Sequence, residues 1–144
     1  MRKGNCTSKQ MGDASVQLIA GELTLAGNPS VVMPPGWPGY DIMSQRPLAL
    51  ESVQVKSRNR KPDPKDDGYV KYECTDRFDW LAIVLLPPPN KEKTRQVFII
   101  PRTVADANAR RNGPHTKVAN ERYWRIDEVE KLFAKYEGNF TLHP

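Results

Sequence analysis

Apolar residues along the chain follow two kinds of spacing, one helical and one extended. Between Asp13 and Ala26 they recur every three or four residues, which predicts a helix with Asp13 as its N-cap and Gly27 directly after it. Later segments have the short apolar or alternating pattern of strands, bounded by proline, glycine or charged residues. These segments are Ser30–Met33, Tyr40–Met43, Leu48–Ser57, Phe78–Leu86 and Val97–Ile100.

The remaining segments predict further helices and two shorter extended pieces. Thr103–Arg111 has the composition of a short helix, and Asp127 is the expected cap of a second one that runs to about Tyr136. Tyr69–Cys74 and Tyr123–Ile126 are expected to be extended. The order of elements predicts an α/β or α+β fold, a sheet of about five strands with helices packed on it.

Length and composition favour one polar domain. The chain has 144 residues, of which 38% are hydrophobic and 27% charged. Residues 1–12 are polar and basic, so we expect a flexible arm there and a single domain over residues 13–144. No apolar run approaches the ~20 residues of a membrane helix, and no signal-peptide core follows the basic start, so the expected location is cytoplasmic.

The charge of the chain favours an anionic partner. Lysine and arginine number 22 against 17 aspartates and glutamates, a formal charge of +5, which suits nucleic acid. Arg58, Arg60 and Lys61 directly follow a predicted strand and are the expected contacts to backbone phosphates. Arg110 and Arg111, after Pro101, are further candidates for phosphate contacts.

Three polar residues stand out on the predicted strands. In Leu48–Ser57 the side chains of Val53 and Val55 point to one face, while Gln54 and Lys56 point to the other. Asp41 precedes Gln54 by 13 residues, enough for a hairpin with a turn near Pro47. Such a hairpin would bring a carboxylate, an amide and an ammonium group together.

These groups have the chemistry of a metal-dependent hydrolytic site. The Asp41 carboxylate, the Gln54 amide oxygen and the Val55 carbonyl are oxygen ligands of the kind that divalent cations prefer. Lys56 beside such a cation would orient or deprotonate a water and stabilise charge on a phosphate. Glu22 borders the apolar stripe of the first helix and points along the core edge. The alternative is an ordinary solvated sheet face, with Glu22 as a solvated flank residue.

The order of these segments resembles that of the PD-(D/E)xK nuclease superfamily, whose restriction-endonuclease-like core is a mixed sheet flanked by helices. The resemblance rests on Tyr40-Asp41-Ile42 and Val53-Gln54-Val55-Lys56-Ser57, followed by Phe78–Val84 and Val97–Pro101. It covers about Gln17 to Pro101, and the C-terminal helix is similar to a usual appendage of the superfamily.

The resemblance implies a role for each residue of the motif. Asp41 would be the metal-binding aspartate, Gln54 would stand at the Asp/Glu position, and Lys56 would be the catalytic lysine. Glu22 would match the acidic residue that some members carry on the first helix. The implied cofactor is Mg²⁺ or Mn²⁺, the implied partner is DNA, and cutting both strands would favour a homodimer.

One departure from the pattern keeps other functions open. Gln54 is a neutral amide in place of a carboxylate, which removes a negative charge from the metal cage. The first hypothesis is a metal-dependent nuclease that acts on DNA. The second is a catalytically inactive nuclease-fold module that binds nucleic acid or a protein partner. The third is a small structural or regulatory protein whose positive charge has no specific partner.

Overall fold

The computed structural model describes residues 6–88 and 94–144. The α-helices of this part of the chain are α1 (Ser8–Leu25), α2 (Arg102–Asn108) and α3 (Ile126–Leu132), and short 3₁₀ helices lie at Pro64–Asp66 and Ala134–Tyr136. The strands are β1 (Ser30–Val32), β2 (Ile42–Gln45), β3 (Leu50–Asn59), β4 (Tyr69–Glu73), β5 (Trp80–Leu86), β6 (Gln96–Pro101), β7 (Arg110–Arg111) and β8 (Glu121–Arg125). Over these residues, no helix is both long enough and apolar enough to cross a membrane.

The main sheet has five strands in the order β1-β2-β3-β5-β6. It is mixed, because β3 and β5 run parallel while the other neighbours are antiparallel. Six of the seven residues of β5 are buried, as expected for a central strand covered on both faces. The predicted α+β fold with a sheet of about five strands is confirmed.

Helix α1 covers one face of this sheet. Ile19 and Leu23 are fully buried against Ile42 and Val53. The helix begins at Ser8, because the Thr7 side chain accepts from the Gln10 N–H and the Gln10 side chain accepts from the Thr7 N–H. The predicted N-cap at Asp13 is therefore wrong, and so is the predicted arm where it includes residues 8–12. Residues 1–5 of that arm lie outside the described residues.

A second sheet, in the order β4-β8-β7, covers the other face. Val70, Tyr72 and Trp124 point from it into a core shared with Leu81 and Ile83 of the main sheet. The sequence predicts that two of these segments are extended, but it does not predict that they pair. The aromatic side chains of this layer pack edge to face or tilted, with ring centroids 5.2 to 5.6 Å apart.

Two local predictions in the C-terminal part need correction. Arg110 and Arg111 form β7 instead of the end of a helix, because α2 stops at Asn108 and the chain then pairs with β8. Helix α3 has Arg125 at its N-cap position, and Asp127 lies inside the first turn. There Asp127 still interacts favourably with the helix dipole, so its acidic character suits the position it occupies.

Strand β3 is the element that positions the candidate site. From Leu50 to Val53 it pairs with β2 on one side, and from Val53 to Asn59 it pairs with β5 on the other. Its second half therefore has one edge that β2 does not cover. The strand also extends two residues beyond the predicted end at Ser57, so that Arg58 belongs to the strand instead of following it.

Candidate active site

Asp41 lies at the point where β2 begins and holds the uncovered edge of β3. Its N–H donates to the Val53 carbonyl at 2.9 Å, and its Oδ2 accepts from the Val55 N–H at 2.8 Å. Its own carbonyl accepts from Met33, which follows β1, at 2.8 Å. The carboxylate thus takes the place of a backbone acceptor in the sheet. Together with the two backbone hydrogen bonds, this contact fixes the position of Asp41.

Gln54 and Lys56 lie on β3 directly beside this carboxylate. The pairing of Ile42 with Val53, continued by one residue, sets Asp41 opposite Gln54. Gln54 and Lys56 are both half-buried and project from the same face of the strand, about 7 Å apart along it. The structure therefore brings together the three polar groups that the sequence analysis selected.

The charge state of Asp41 reflects its surroundings. Burial raises the pKa of the Asp41 carboxyl above its usual value, and the nearby Asp76 carboxylate raises it further. The Val55 N–H and the Lys56 ammonium act in the opposite direction and lower this pKa. Lys56 and Asp76 are thus both close enough to Asp41 for their charges to affect it.

The donor atoms at this edge fit a hard divalent cation. The Val55 N–H donates to Oδ2 of Asp41. The other oxygen, Oδ1, accepts no hydrogen bond from any residue that the structure describes. The Val55 carbonyl points to the same side of β3 as its N–H, toward Asp41. In residues 6–88 and 94–144 no three His, Cys, Asp or Glu side chains cluster closely enough to hold a metal. A cation here would thus rest on one carboxylate, an amide oxygen, a carbonyl and water, a set that suits Mg²⁺.

The structure does not bring Glu22 to this edge. Glu22 lines a separate cleft with Leu86, Arg95 and Glu137. The residues of α1 that share a cleft with Asp41 include Lys9, Asp13 and Gln17.

The reason for this separation is helical geometry. Nine residues separate Asp13 from Glu22, which is two and a half turns and places the two side chains on opposite sides of α1. Asp13 is therefore the α1 carboxylate on the side of Asp41, and its Oδ2 forms an ion pair with Lys9 at 2.9 Å.

Asp76 is a carboxylate near the site that the sequence analysis missed. It lies in the turn between β4 and β5, is half-buried, and accepts from the Glu73 N–H at 3.1 Å. A loop residue carries no periodic signal, so nothing in the pattern of the sequence points to it.

Two contacts hold the turn of Asp76 against the Asp41 segment. The Arg102 guanidinium donates to the carbonyls of Cys74 and Asp76. On the other side Gly39, with φ of 89°, approaches the Arg77 backbone so closely that a Cβ would lie 3.1 Å from the Arg77 nitrogen. Only glycine fits this position without a shift, which keeps Asp41 and Asp76 in neighbouring segments.

The basic residues proposed to contact phosphates differ in how free their charges are. Arg60 is bound by carboxylates, since it contacts Glu130 and lies 3.5 Å from Asp67. Arg58 donates to the carbonyls of Tyr69 and Ser57, and burial lowers the pKa of its guanidinium.

The other three candidates are more exposed. Arg110 pairs with Glu128 at 2.5 Å, but about half of its side chain remains exposed. The side chains of Lys61 and Arg111 form no ion pair within the part of the chain that the structure describes. Lys61 lines the same cleft as Lys56 and Arg58, so it is the closest free cation of this set to the catalytic candidates.

Aromatic side chains lie at the rim of the Asp41 cleft. Trp37 and Tyr40 line it, with ring centroids 6.1 Å apart in an edge-to-face arrangement, and Trp37 is 48% exposed. Exposed aromatic rings at the rim of a cleft offer flat surfaces on which a base can stack.

Comparison with known proteins places this arrangement among nuclease folds. The structure superposes on a bacterial homing endonuclease, I-Ssp6803I, with a TM-score of 0.64 and 16% identity over 95% of this chain and 93% of that one. It also superposes on Hjc, a Holliday junction resolvase from Archaeoglobus fulgidus, with a TM-score of 0.52 and 12% identity over 87% and 88% of the two chains. No protein-family model and no curated protein sequence matches the chain.

The chain therefore has the restriction-endonuclease-like fold that the sequence resemblance implied. The two superpositions cover 95% and 87% of this chain. The likeness at 12 to 16% identity establishes the fold alone.

Proposed function

We propose that this protein is a metal-dependent endonuclease that hydrolyses phosphodiester bonds in DNA. The observation that carries the proposal is the placement of Asp41, Gln54 and Lys56 at the one edge of β3 that β2 leaves uncovered. Two structural neighbours named for nuclease or resolvase activity support the same class of reaction.

In this proposal Asp41, Gln54 and the Val55 carbonyl hold Mg²⁺ or Mn²⁺. The cation, when bound, would lower the pKa of a water and offset charge on the phosphate. The Val55 N–H keeps the carboxylate of Asp41 oriented, so that Oδ1 is directed away from the sheet hydrogen bond. Lys56 presents its ammonium to the phosphate and stabilises the negative charge that builds there during water attack.

The test is cleavage of duplex DNA with and without Mg²⁺ or Mn²⁺. Lys56→Ala should lower the cleavage rate at least about 100-fold, because it removes the charge that acts in the transition state. Lys135→Ala, an exposed lysine after α3, removes the same charge elsewhere and should cleave normally. Full activity in a folded Lys56→Ala variant would overturn the mechanism.

A second function, binding without catalysis, is favoured by one observation. The amide of Gln54 stands where a carboxylate would strengthen the cation site, and the described residues supply no three clustered acidic, histidine or cysteine ligands. An inactive module would bind DNA in a salt-sensitive manner. Its heat of Mg²⁺ or Mn²⁺ binding would be the same in the wild-type protein and in Asp41→Asn, whereas a metal-dependent nuclease would lose that heat in the variant. Calorimetry on the wild-type protein and this variant separates the two functions.

A further inference from the structure

The outward face of the second sheet carries tyrosines and cations in an alternating arrangement. Along β4 the buried residues are Val70 and Tyr72, so Tyr69 and Lys71 project to solvent. On β8 the buried residue is Trp124, so Tyr123 and Arg125 project outward as well. Tyr69 pairs with Arg125, and Lys71 pairs with Tyr123, so each aromatic ring lies opposite a cation.

A fifth side chain extends this face across the neighbouring strand. Arg110 of β7 pairs with Tyr123 and lies on the outward side with it. The rings of Tyr69 and Tyr123 meet edge to face, with centroids 5.6 Å apart, and Tyr69 is 47% exposed. We call these five residues, Tyr69, Lys71, Arg110, Tyr123 and Arg125, the β4–β8–β7 face.

The charges of this face are partly available to a ligand. Lys71 is exposed and has no salt bridge within the described residues. Arg110 and Arg125 pair with Glu128 and Asp127, but their side chains remain 54% and 43% exposed. A guanidinium has five N–H donors, and one carboxylate uses at most two of them, so each arginine keeps donors for a phosphate.

The face has a direction and adjoins the candidate active site. At its far end Glu73 pairs with Glu121, which makes that end acidic. At its cationic end the Tyr69 carbonyl accepts from Arg58 at 3.1 Å, and Tyr69 lines the same cleft as Lys56 and Arg58. An anionic strand held near Lys56 therefore meets the tyrosines and cations before it reaches the acidic row.

We propose that the β4–β8–β7 face binds a single-stranded segment of nucleic acid that continues from the cleft of Lys56. Exposed rings on a sheet offer flat surfaces on which unpaired bases stack, whereas the bases of a duplex are already stacked on each other. The cations beside the rings suit the phosphates that connect such bases. The proposal rests on the proposed nuclease function for the direction of the strand, but its binding step needs neither metal nor cleavage.

The test measures binding of a labelled single strand of about 16 nucleotides, and of a duplex of the same sequence, in EDTA. Tyr69→Leu and Tyr123→Leu should each lower single-strand affinity at least about fivefold, while Tyr69→Phe and Tyr123→Phe keep it, because phenylalanine still stacks. Duplex affinity should change less than the affinity for the single strand. Unchanged single-strand binding in a variant that carries both Tyr69→Leu and Tyr123→Leu would overturn the proposal. Equal losses of affinity for the single strand and the duplex would also overturn it.

A second variant keeps the test decisive if the leucine substitutions disturb folding. Lys71→Ala should lower the slope of log affinity against log salt by about 0.7 for the single strand, and Lys135→Ala should leave it unchanged. Equal slopes in these two variants would count against the face. Loss of cleavage in Lys56→Ala with intact single-strand binding would separate this proposal from the proposed nuclease function.

Discussion

The two halves of β3 differ in how their backbone groups are satisfied. From Leu50 to Val53 the strand has β2 beside it, and from Gln54 to Asn59 that side is open. The closed half is held further by Asp79, which accepts from the N–H and hydroxyl of Ser52, and by Glu51, which accepts from the Trp80 indole. In the open half two side chains replace the missing neighbour, because Asp41 accepts from the Val55 N–H and Arg58 donates to the Ser57 carbonyl. The contrast teaches that the candidate site lies where regular pairing stops.

The largest loss of stability is expected for a substitution in β2, the strand that pairs with the closed half of β3. Ile42 is fully buried between α1 and Val53, so Ile42→Ala should destabilise the protein by about 2–5 kcal/mol. In the open half, Lys56→Ala should change the free energy of unfolding by no more than about 0.5 kcal/mol. Urea unfolding of both variants checks the comparison. A larger loss for Lys56→Ala than for Ile42→Ala would contradict it.

A second effect concerns the turn that closes the hairpin of β2 and β3. Arg46 donates to Asn28 and to the carbonyls of Thr141 and Leu142, and it pairs with Glu51 at 3.3 Å. Arg46→Ala should cost about 2–3 kcal/mol, because several acceptors lose a charged donor at once. Arg111→Ala, an exposed arginine outside this hairpin, serves as the control and should cost under about 0.5 kcal/mol. Thermal unfolding of the two variants measures the difference.

A third prediction concerns the affinity of the open half of β3 for Mg²⁺. Gln54→Glu adds a carboxylate beside Asp41, so Mg²⁺ should bind about tenfold more tightly. Without metal the same variant should be slightly less stable than wild type, since a further negative charge joins Asp41 and Asp76. Calorimetric titration measures the affinity. Weaker Mg²⁺ binding in this variant would mean that position 54 does not face the cation.

The smallest expected effect concerns the charge of Asp41 itself. The pKa of Asp41 is raised in the folded protein, so the folded state holds this proton more tightly than the unfolded chain does. Stability from this group is therefore present below the usual pKa and is lost as the pH rises through the folded value. Asp41→Asn keeps an acceptor for the Val55 N–H, so without metal it should gain stability over wild type as the pH rises.

The gain should be at most about 1 kcal/mol, because solvent screens a partly exposed carboxyl. Asp13→Asn is the matched control, since Asp13 is exposed and paired with Lys9. Thermal unfolding of both variants from pH 3 to pH 7, in EDTA, provides the comparison. A destabilised Asp41→Asn at neutral pH would show that the charge of Asp41 is favourable in the folded state.

The sequence predicted the main sheet because its strands carry strong local signals. The continuous apolar run of β5 and the alternation around Val53 each identify an element without reference to the rest of the chain. The second sheet could not be predicted, since Tyr69 pairs with Arg125, 56 residues away, and β7 has only two residues. Nothing local indicates such pairing.

The residues of the candidate site could be predicted from the sequence only where a local pattern identifies them. Asp41, Gln54 and Lys56 lie on one hairpin, so their spacing along the chain is enough to predict that they lie near one another. Glu22 was selected from its place beside an apolar stripe, yet the rotation of α1 turns it to another cleft. Asp76 lies near Asp41 because Arg102 and Gly39 hold its turn in place, and the spacing of residues along the chain does not reveal this tertiary arrangement.

A crystal structure of the protein soaked in Mn²⁺ would test most directly whether the open half of β3 holds a cation. We expect an anomalous peak within about 2.2 Å of the Asp41 carboxylate, the Gln54 amide oxygen and the Val55 carbonyl, with the Lys56 ammonium beside it. A peak found only elsewhere, or no peak at the open half of β3, would contradict this expectation.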